Sequence, residues 1–175
     1  MNRKQSLRRL AFDGILTAAA LSIYIVESYI PALIPVPGVK LGIANIITVV
    51  AICLVGVADT AEILFARILL GAVFSGNFSA LLYSAAGGVL CFLTMLPLRL
   101  ILNKKQVWAL SVFGAIAHNI GQLFMASFVL GSFGVFSYLP VLLVSAIITG
   151  LFTGLCAQLV IYRMSGMFNK FLYGE

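Results

Sequence analysis

A chain of 175 residues that is 62% hydrophobic and only 9% charged cannot conceal its apolar surface in a water-soluble fold of that size, because small domains leave a large share of their atoms exposed. The bilayer is therefore its solvent, and the length suits one compact membrane domain with no appended catalytic or nucleotide-binding domain. The net charge of +6 collects beside apolar runs, which reads as a topology signal and not as a nucleic-acid footprint, so no nucleic-acid partner is expected.

In chain order, hydropathy predicts an all-α polytopic membrane protein: a basic leader (residues 1–9), a single bundle of about six transmembrane helices (residues 10–162) and a short tail (residues 163–175). Each span lies near the ~20 residues needed to cross hydrocarbon. The first runs from Leu10 to Ile30. It continues well past Ala18-Ala19-Ala20, which makes it a spanning helix and not the short core of a cleavable signal. Pro31, Pro35, Pro37 and Gly38 break the chain before the second span, Leu41 to Val57. The third, Thr60 to Phe74, is the shortest, and Asp59-Thr60-Ala61-Glu62 reads as its start, with Asp59 capping and Glu62 three positions on. Gly76-Asn77 precedes the fourth, Phe78 to Leu102. The fifth, Val107 to Leu130, stops at Gly131-Ser132-Phe133-Gly134, and the sixth runs from Tyr138 to Tyr162.

With six spans, Arg3, Lys4, Arg8 and Arg9, then Arg99, Lys104 and Lys105, then Arg163 and Lys170 all fall on one side. The positive-inside rule makes that side cytoplasmic, with both termini there and the protein in the cell membrane. Depth then sorts the polar residues. Glu27 lies near the outer end of span one, Lys40 and Asn45 near the outer start of span two, and Asn77 and Tyr83 near the outer start of span four. Arg67 sits near the centre of span three, where an arginine costs roughly 2.5–3.5 kcal/mol unless it snorkels, pairs or touches a ligand. Glu27 is its candidate ion-pair partner. Glu62 is not, because five residues along a helix put it on a different face.

The fifth span carries Ala117-His118-Asn119-Ile120-Gly121-Gln122. Spacings of three and four place His118, Asn119 and Gln122 toward one side of the helix, away from lipid. These residues, with Asn45, Lys40, Arg67 and Glu27, suit a polar cavity open to the exterior that binds a small molecule. Lys40 and Arg67 favour an anionic or strongly hydrogen-bonding group, and Glu27 either orients Arg67 or meets a cationic part of the ligand. Other chemistries find less support. One histidine and the dispersed Cys53, Cys91 and Cys156 give no metal motif, no disulfide framework and no catalytic triad, so neither a cofactor nor a catalytic residue is assigned. Gly14, Ala18 and Ser22 recur every four positions on span one and form a smooth strip for close helix approach, either within the bundle or against a partner.

Several runs carry a resemblance: Pro37-Gly38-Val39-Lys40-Leu41-Gly42-Ile43-Ala44-Asn45, Glu27-Ser28, Arg67 before Leu69-Leu70-Gly71, Tyr83-Ser84-Ala85-Ala86-Gly87-Gly88, Ala117 to Gln122, and Tyr138-Leu139-Pro140. In this order, over about Leu10 to Tyr162, they resemble the Gx transporter family, also labelled heptaprenyl diphosphate synthase component I. The resemblance implies kinship with the substrate-capture subunits of energy-coupling factor transporters. Such subunits take a vitamin or other small nutrient from the outer side and work with a transmembrane coupling protein and two ATPase subunits. The Gly14, Ala18, Ser22 strip is similar in kind to the one those subunits present to the coupling protein. The chain has no phosphate-binding Gly-Lys-Ser/Thr loop of its own, so ATP drive would come from partners. The synthase label is tested by chemistry: prenyl elongation needs aspartate-rich motifs to hold magnesium on a diphosphate, and Asp13 and Asp59 are the only aspartates. The expectation is thus a non-enzymatic uptake subunit; the alternative is a non-transporting accessory component for isoprenoid or quinone synthesis or extracellular electron transfer.

Overall fold

A computed structural model describes residues 3–30, 42–76 and 78–173. These residues form six α-helices: α1 (Arg3–Ser28), α2 (Asn45–Leu54), α3 (Val57–Ser75), α4 (Phe78–Ile101), α5 (Val107–Leu130) and α6 (Leu139–Tyr173). Short 3₁₀ turns at Lys104–Gln106 and Phe133–Tyr138 lead into α5 and α6. The helix stops follow the glycines. Gly76 and Gly131 take left-handed conformations (φ 62° and 61°) directly after α3 and α5, a geometry open to a residue without Cβ. Between α4 and α5, Asn103 and Gln106 cap each other reciprocally, the Gln106 side chain accepting from the Asn103 N–H at 3.0 Å.

Four helices, α1, α4, α5 and α6, are long and apolar enough to cross a membrane. The sequence expectation errs in which element is short. It is α2, whose ten residues reach only ~15 Å, half the hydrocarbon thickness. Helix α3 begins at Val57 and has 19 residues, nearly a full crossing, but carries Asp59, Glu62 and Arg67. Helix α6 does not end at Tyr162; it continues to Tyr173, and at ~1.5 Å per residue it outruns the bilayer core. The expected leader is helical from Arg3 onward. Both extensions pack on each other. The Phe12 and Phe168 rings lie 4.9 Å apart, and the Arg8 guanidinium sits over Phe171 while donating to its carbonyl at 2.9 Å.

Asp59 does not cap α3 either, since Gly56 holds the N-cap position. Its carboxylate instead accepts from Arg9, which also donates to the Val55 carbonyl at 3.0 Å and so ties α1 to the α2–α3 turn. Glu62 is exposed while Arg67 is buried, as the helical rotation requires.

Helix α5 is the centre of the bundle. In lipid there is no hydrophobic drive between helices, so close backbone contact must supply the attraction. A Cβ added at Gly121 would lie 2.6 Å from the Ala86 carbonyl oxygen of α4. On the other side, Cβ atoms at Gly150 and Gly154 of α6 would lie 2.7 and 2.6 Å from the Val112 and Trp108 Cα atoms of α5. A Ser111–Thr153 hydroxyl pair at 2.9 Å adds a polar tie along the same seam. One apolar cluster gathers Tyr83, Leu123, Ala126 and Leu142; a second gathers Val49, Ile52, Met95 and Leu110. Along α5 they leave a layer between them, where His118 to Gln122 lie. Outward positions such as Phe65, Val89, Phe124, Ile148 and Phe152 are exposed, as lipid-facing residues should be.

Because the obstructing atoms are backbone, Gly121→Ala and Gly154→Ala are each expected to lower thermal stability in detergent by about 1–3 kcal/mol. Gly166→Ala, which would meet nothing within 4 Å, should leave the melting temperature unchanged or slightly raised.

Candidate functional site

The site begins with the last turn of α1. Glu27 is 4% exposed, and its carboxylate accepts from the Gly42 N–H and, at 3.3 Å, the Ala44 N–H. Those groups lie at the entrance to α2, where unpaired N–H donors and the helix dipole favour an anion. Glu27 therefore acts as a cap supplied from another helix. The ion pair with Arg67 anticipated from sequence does not form; among the described residues it is Arg9 and Asp59 that pair. Arg67 lies within electrostatic reach of Glu27 and Tyr24 without an ion pair to the carboxylate. With its oxygens engaged by α2, Glu27 is also poorly placed to receive a cationic ligand group.

Gly42 links this cap to α5. A Cβ there would come within 3.0 Å of Asn45 Nδ2 and 3.1 Å of His118 Cδ2, so both side chains pack directly on the bare backbone. The opposite edge of the imidazole rests on α4. A Cβ at Gly87 would lie 2.8 Å from His118 Cε1, 2.9 Å from Nδ1 and 2.9 Å from Gln122 Cγ. His118 thus occupies a slot between two glycines. The next residue, Gly88, faces α3, where Arg67 Nη2 would be 3.8 Å from an added Cβ. Tyr24 of α1 packs on Gly71 of α3 one turn beyond Arg67. Five helices converge here, and α6 joins them through Asn119.

The three polar residues of α5 divide their work. His118 and Gln122 meet α4, whereas Asn119, rotated by ~100° from His118, donates from Nδ2 to the Leu142 carbonyl of α6 at 3.0 Å. All are buried: His118 is 3% exposed, Asn119 0%, Gln122 1%, Asn45 5% and Arg67 3%. Yet both amide atoms of Asn45, Nε and Nη2 of Arg67, Oδ1 of Asn119 and Oε1 of Gln122 have no hydrogen-bond partner. Each such group costs about 1–3 kcal/mol, more for a charge. The layer can therefore both donate (Arg67, Asn45) and accept (Gln122, Asn119), and among the described residues its cation is the Arg67 guanidinium.

Lys40 lies outside the described residues, as does Asn77. Tyr83 belongs to the apolar cluster with Leu123 and Leu142. Sequence reasoning missed the glycines that shape the slot, Gly42, Gly87 and Gly88, and missed Tyr24. A glycine pair inside an apolar helix signals close approach, and Tyr24 stands three positions from Glu27 on the same helix face. The strip of Gly14, Ala18 and Ser22 is exposed, on the face of α1 opposite the buried Phe12, Leu16, Ala20 and Tyr24. Its one hydroxyl, on Ser22, bonds back to the Ala18 carbonyl at 2.9 Å. Toward the other end of α1, Asp13 lies within electrostatic reach of Asp59, Arg9 and Glu62, apart from the polar layer.

Two substitutions should move stability in opposite directions. Arg67→Met replaces a buried charge without an ion-pair partner by an apolar chain and is expected to stabilise the ligand-free protein by about 1–4 kcal/mol. Glu27→Ala strands two N–H groups at the α2 entrance and should cost about 2–4 kcal/mol. Melting curves of the purified variants check both signs.

Neither a curated protein nor a solved structure matches the chain. A family model described as heptaprenyl diphosphate synthase component I matches residues 16–160, from within α1 to near Tyr162 of α6, so all the residues of the polar layer fall inside it. On that match over most of its length, the chain belongs to the heptaprenyl diphosphate synthase component I family.

Proposed function

We propose that the protein is a non-enzymatic, substrate-specific uptake subunit that captures a small molecule from the outer side of the cell membrane. The observation that carries this reading is the convergence of Asn45, Arg67, His118, Asn119 and Gln122, all at most 5% exposed, with unpartnered polar atoms on Asn45, Arg67, Asn119 and Gln122. Helix packing alone gives no reason to gather so many costly groups in one layer. A ligand bearing an anionic or strongly hydrogen-bonding group supplies the missing partners, with Arg67 fixing the charge and Gln122 and Asn45 its orientation.

In this proposal both termini are cytoplasmic and the polar layer is reached from the opposite side, in keeping with the clustering of basic residues. The exposed Gly14, Ala18, Ser22 face docks a transmembrane coupling protein, which in turn engages two ATPase subunits. Capture is followed by reorientation of the subunit against that partner. Prenyl elongation is disfavoured by the aspartates: Arg9 already engages Asp59, and both Asp59 and Asp13 stand apart from the polar layer.

The test is thermal stabilisation of the purified chain across vitamins, flavins, isoprenoid diphosphates and quinone precursors. At about a hundredfold excess over Kd a true ligand adds about 2.7 kcal/mol. The shift should vanish in Arg67→Met, which is expected to fold, and in Gln122→Leu. A hit whose shift survives both substitutions would move the site elsewhere, and no hit across the panel would sink the capture role. For the partner face, Ala18→Leu should abolish co-purification with ATPase subunits while leaving the ligand shift intact.

A further inference from the structure

Where α4 gives way to α5, a cavity of about 880 Å³ opens between the α4–α5 turn, the C-terminal end of α2 and the C-terminal half of α6. It belongs to the end of the bundle that carries the basic segments. His118 stands eight residues beyond Leu110, the last residue of α5 that lines the cavity, ~12 Å along the axis, so the cavity is separate from the polar layer. Its floor is the buried Leu110, and its outer wall is Leu155 and Leu159, which are 54% and 67% exposed on the lipid-facing side of α6. The cavity is thereby continuous with the hydrocarbon around the protein. Its rim holds Arg99, in the last turn of α4, and Lys105, and among the described residues no carboxylate lines it. Among the described residues neither cation has an ion-pair partner. In the wall, Gln158 presents a buried Oε1 without a hydrogen-bond partner.

We infer that this cavity is a binding site for an anionic phospholipid. Three features select that ligand. Two unpaired cations at the membrane-facing rim match a phosphate, to which arginine offers paired donors. An apolar floor and wall open to the bilayer match an acyl chain and would repel a free aqueous anion. The Gln158 amide takes a hydroxyl of the head group, which favours a glycerol head. A zwitterionic lipid brings its own ammonium and gains little from Arg99 and Lys105.

The full chain is purified in mild detergent and exposed to equal amounts of phosphatidylglycerol and phosphatidylcholine, and retained lipid is read by native mass spectrometry. Phosphatidylglycerol should be retained preferentially. The double variant Arg99→Gln/Lys105→Gln should retain it roughly thirty-fold less tightly, while the charge-preserving Arg99→Lys/Lys105→Arg keeps the preference. If the neutral double variant fails to elute as a folded species, Leu159→Trp narrows the apolar wall at an exposed position without touching charge, and should also cut retention. Equal retention of the two lipids overturns the inference. So does a phosphatidylglycerol preference that survives both the charge removal and Leu159→Trp. Protection by inorganic phosphate alone, equal to that of the lipid, would make the site one for a free anion, and displacement of the lipid by a prenyl diphosphate would make it a site for a different amphiphile.

Discussion

Close backbone approach along α5 is the constraint on which the remaining structure depends. Lipid tails compete with side chains on equal terms, so helices in a bilayer gain from packing only what contact distance allows. At Gly121, Gly150 and Gly154 the distance is short enough that a methyl group would collide with neighbouring backbone. The three helices α4, α5 and α6 are thereby drawn into one slab. A consequence follows for the polar residues: with α4 this near, Gly87 becomes a wall for His118 and Gln122. The glycines make the low-dielectric setting in which Arg67 and the amides have strong electrostatic effects.

The second constraint is the shortness of α2. A helix that covers only half the membrane must place one end in the interior, and a helix end exposes unpaired backbone groups that hydrocarbon cannot satisfy. Glu27 answers this by bringing a carboxylate to the N–H groups of Gly42 and Ala44. The other end of α2 is closed by Arg9, which holds the Val55 carbonyl and Asp59 together. Helix α2 is thus bracketed by two charged residues of α1. Asn45 gains its position beside His118 because the first bracket sets the start of the helix.

Much of this was legible in the sequence, for reasons tied to particular residues. Hydropathy located six helices, Gly76 and Gly131 marked two of their ends, and the scarcity of polar side chains made Arg67, His118, Asn119 and Gln122 conspicuous. What could not be read were choices between partners. A carboxylate on α1 can serve a guanidinium or a pair of N–H groups with similar chemistry, and only the fold decides that Glu27 serves α2. The same holds for Asp59, which forgoes capping because Arg9 arrives from another helix. Residues adjacent in sequence were misjudged as a unit because ~100° of rotation sends Asn119 to α6 and His118 to α4. Element lengths failed for a different reason: hydropathy measures apolarity and not hydrogen bonding, so it overextended α2 and cut α6 at its first charged residues.

Together these constraints divide the bundle into parts held by different forces. The slab of α4, α5 and α6 rests on van der Waals contact at glycines, which is stiff because it fails abruptly with distance. Helices α1, α2 and α3 are joined to each other through the apolar cluster of Phe12, Leu16, Ala51, Val55 and Ile63 and, in addition, through charged side chains, Glu27 to α2 and Arg9 to Asp59 and Val55. The polar layer lies at the junction, with Arg67 and Asn45 contributed by one part and His118, Asn119 and Gln122 by the other. Groups that meet across such a junction and lack partners are the ones through which a bound molecule can change the relation of the two parts, since its contacts add differential free energy where packing is not already optimal. A ligand lodged wholly inside the slab would find backbone in close contact and nothing to shift. Under the proposed capture role, a partner docked on the exposed Gly14, Ala18 and Ser22 would hold the helix that carries Glu27 and Tyr24 from its opposite face.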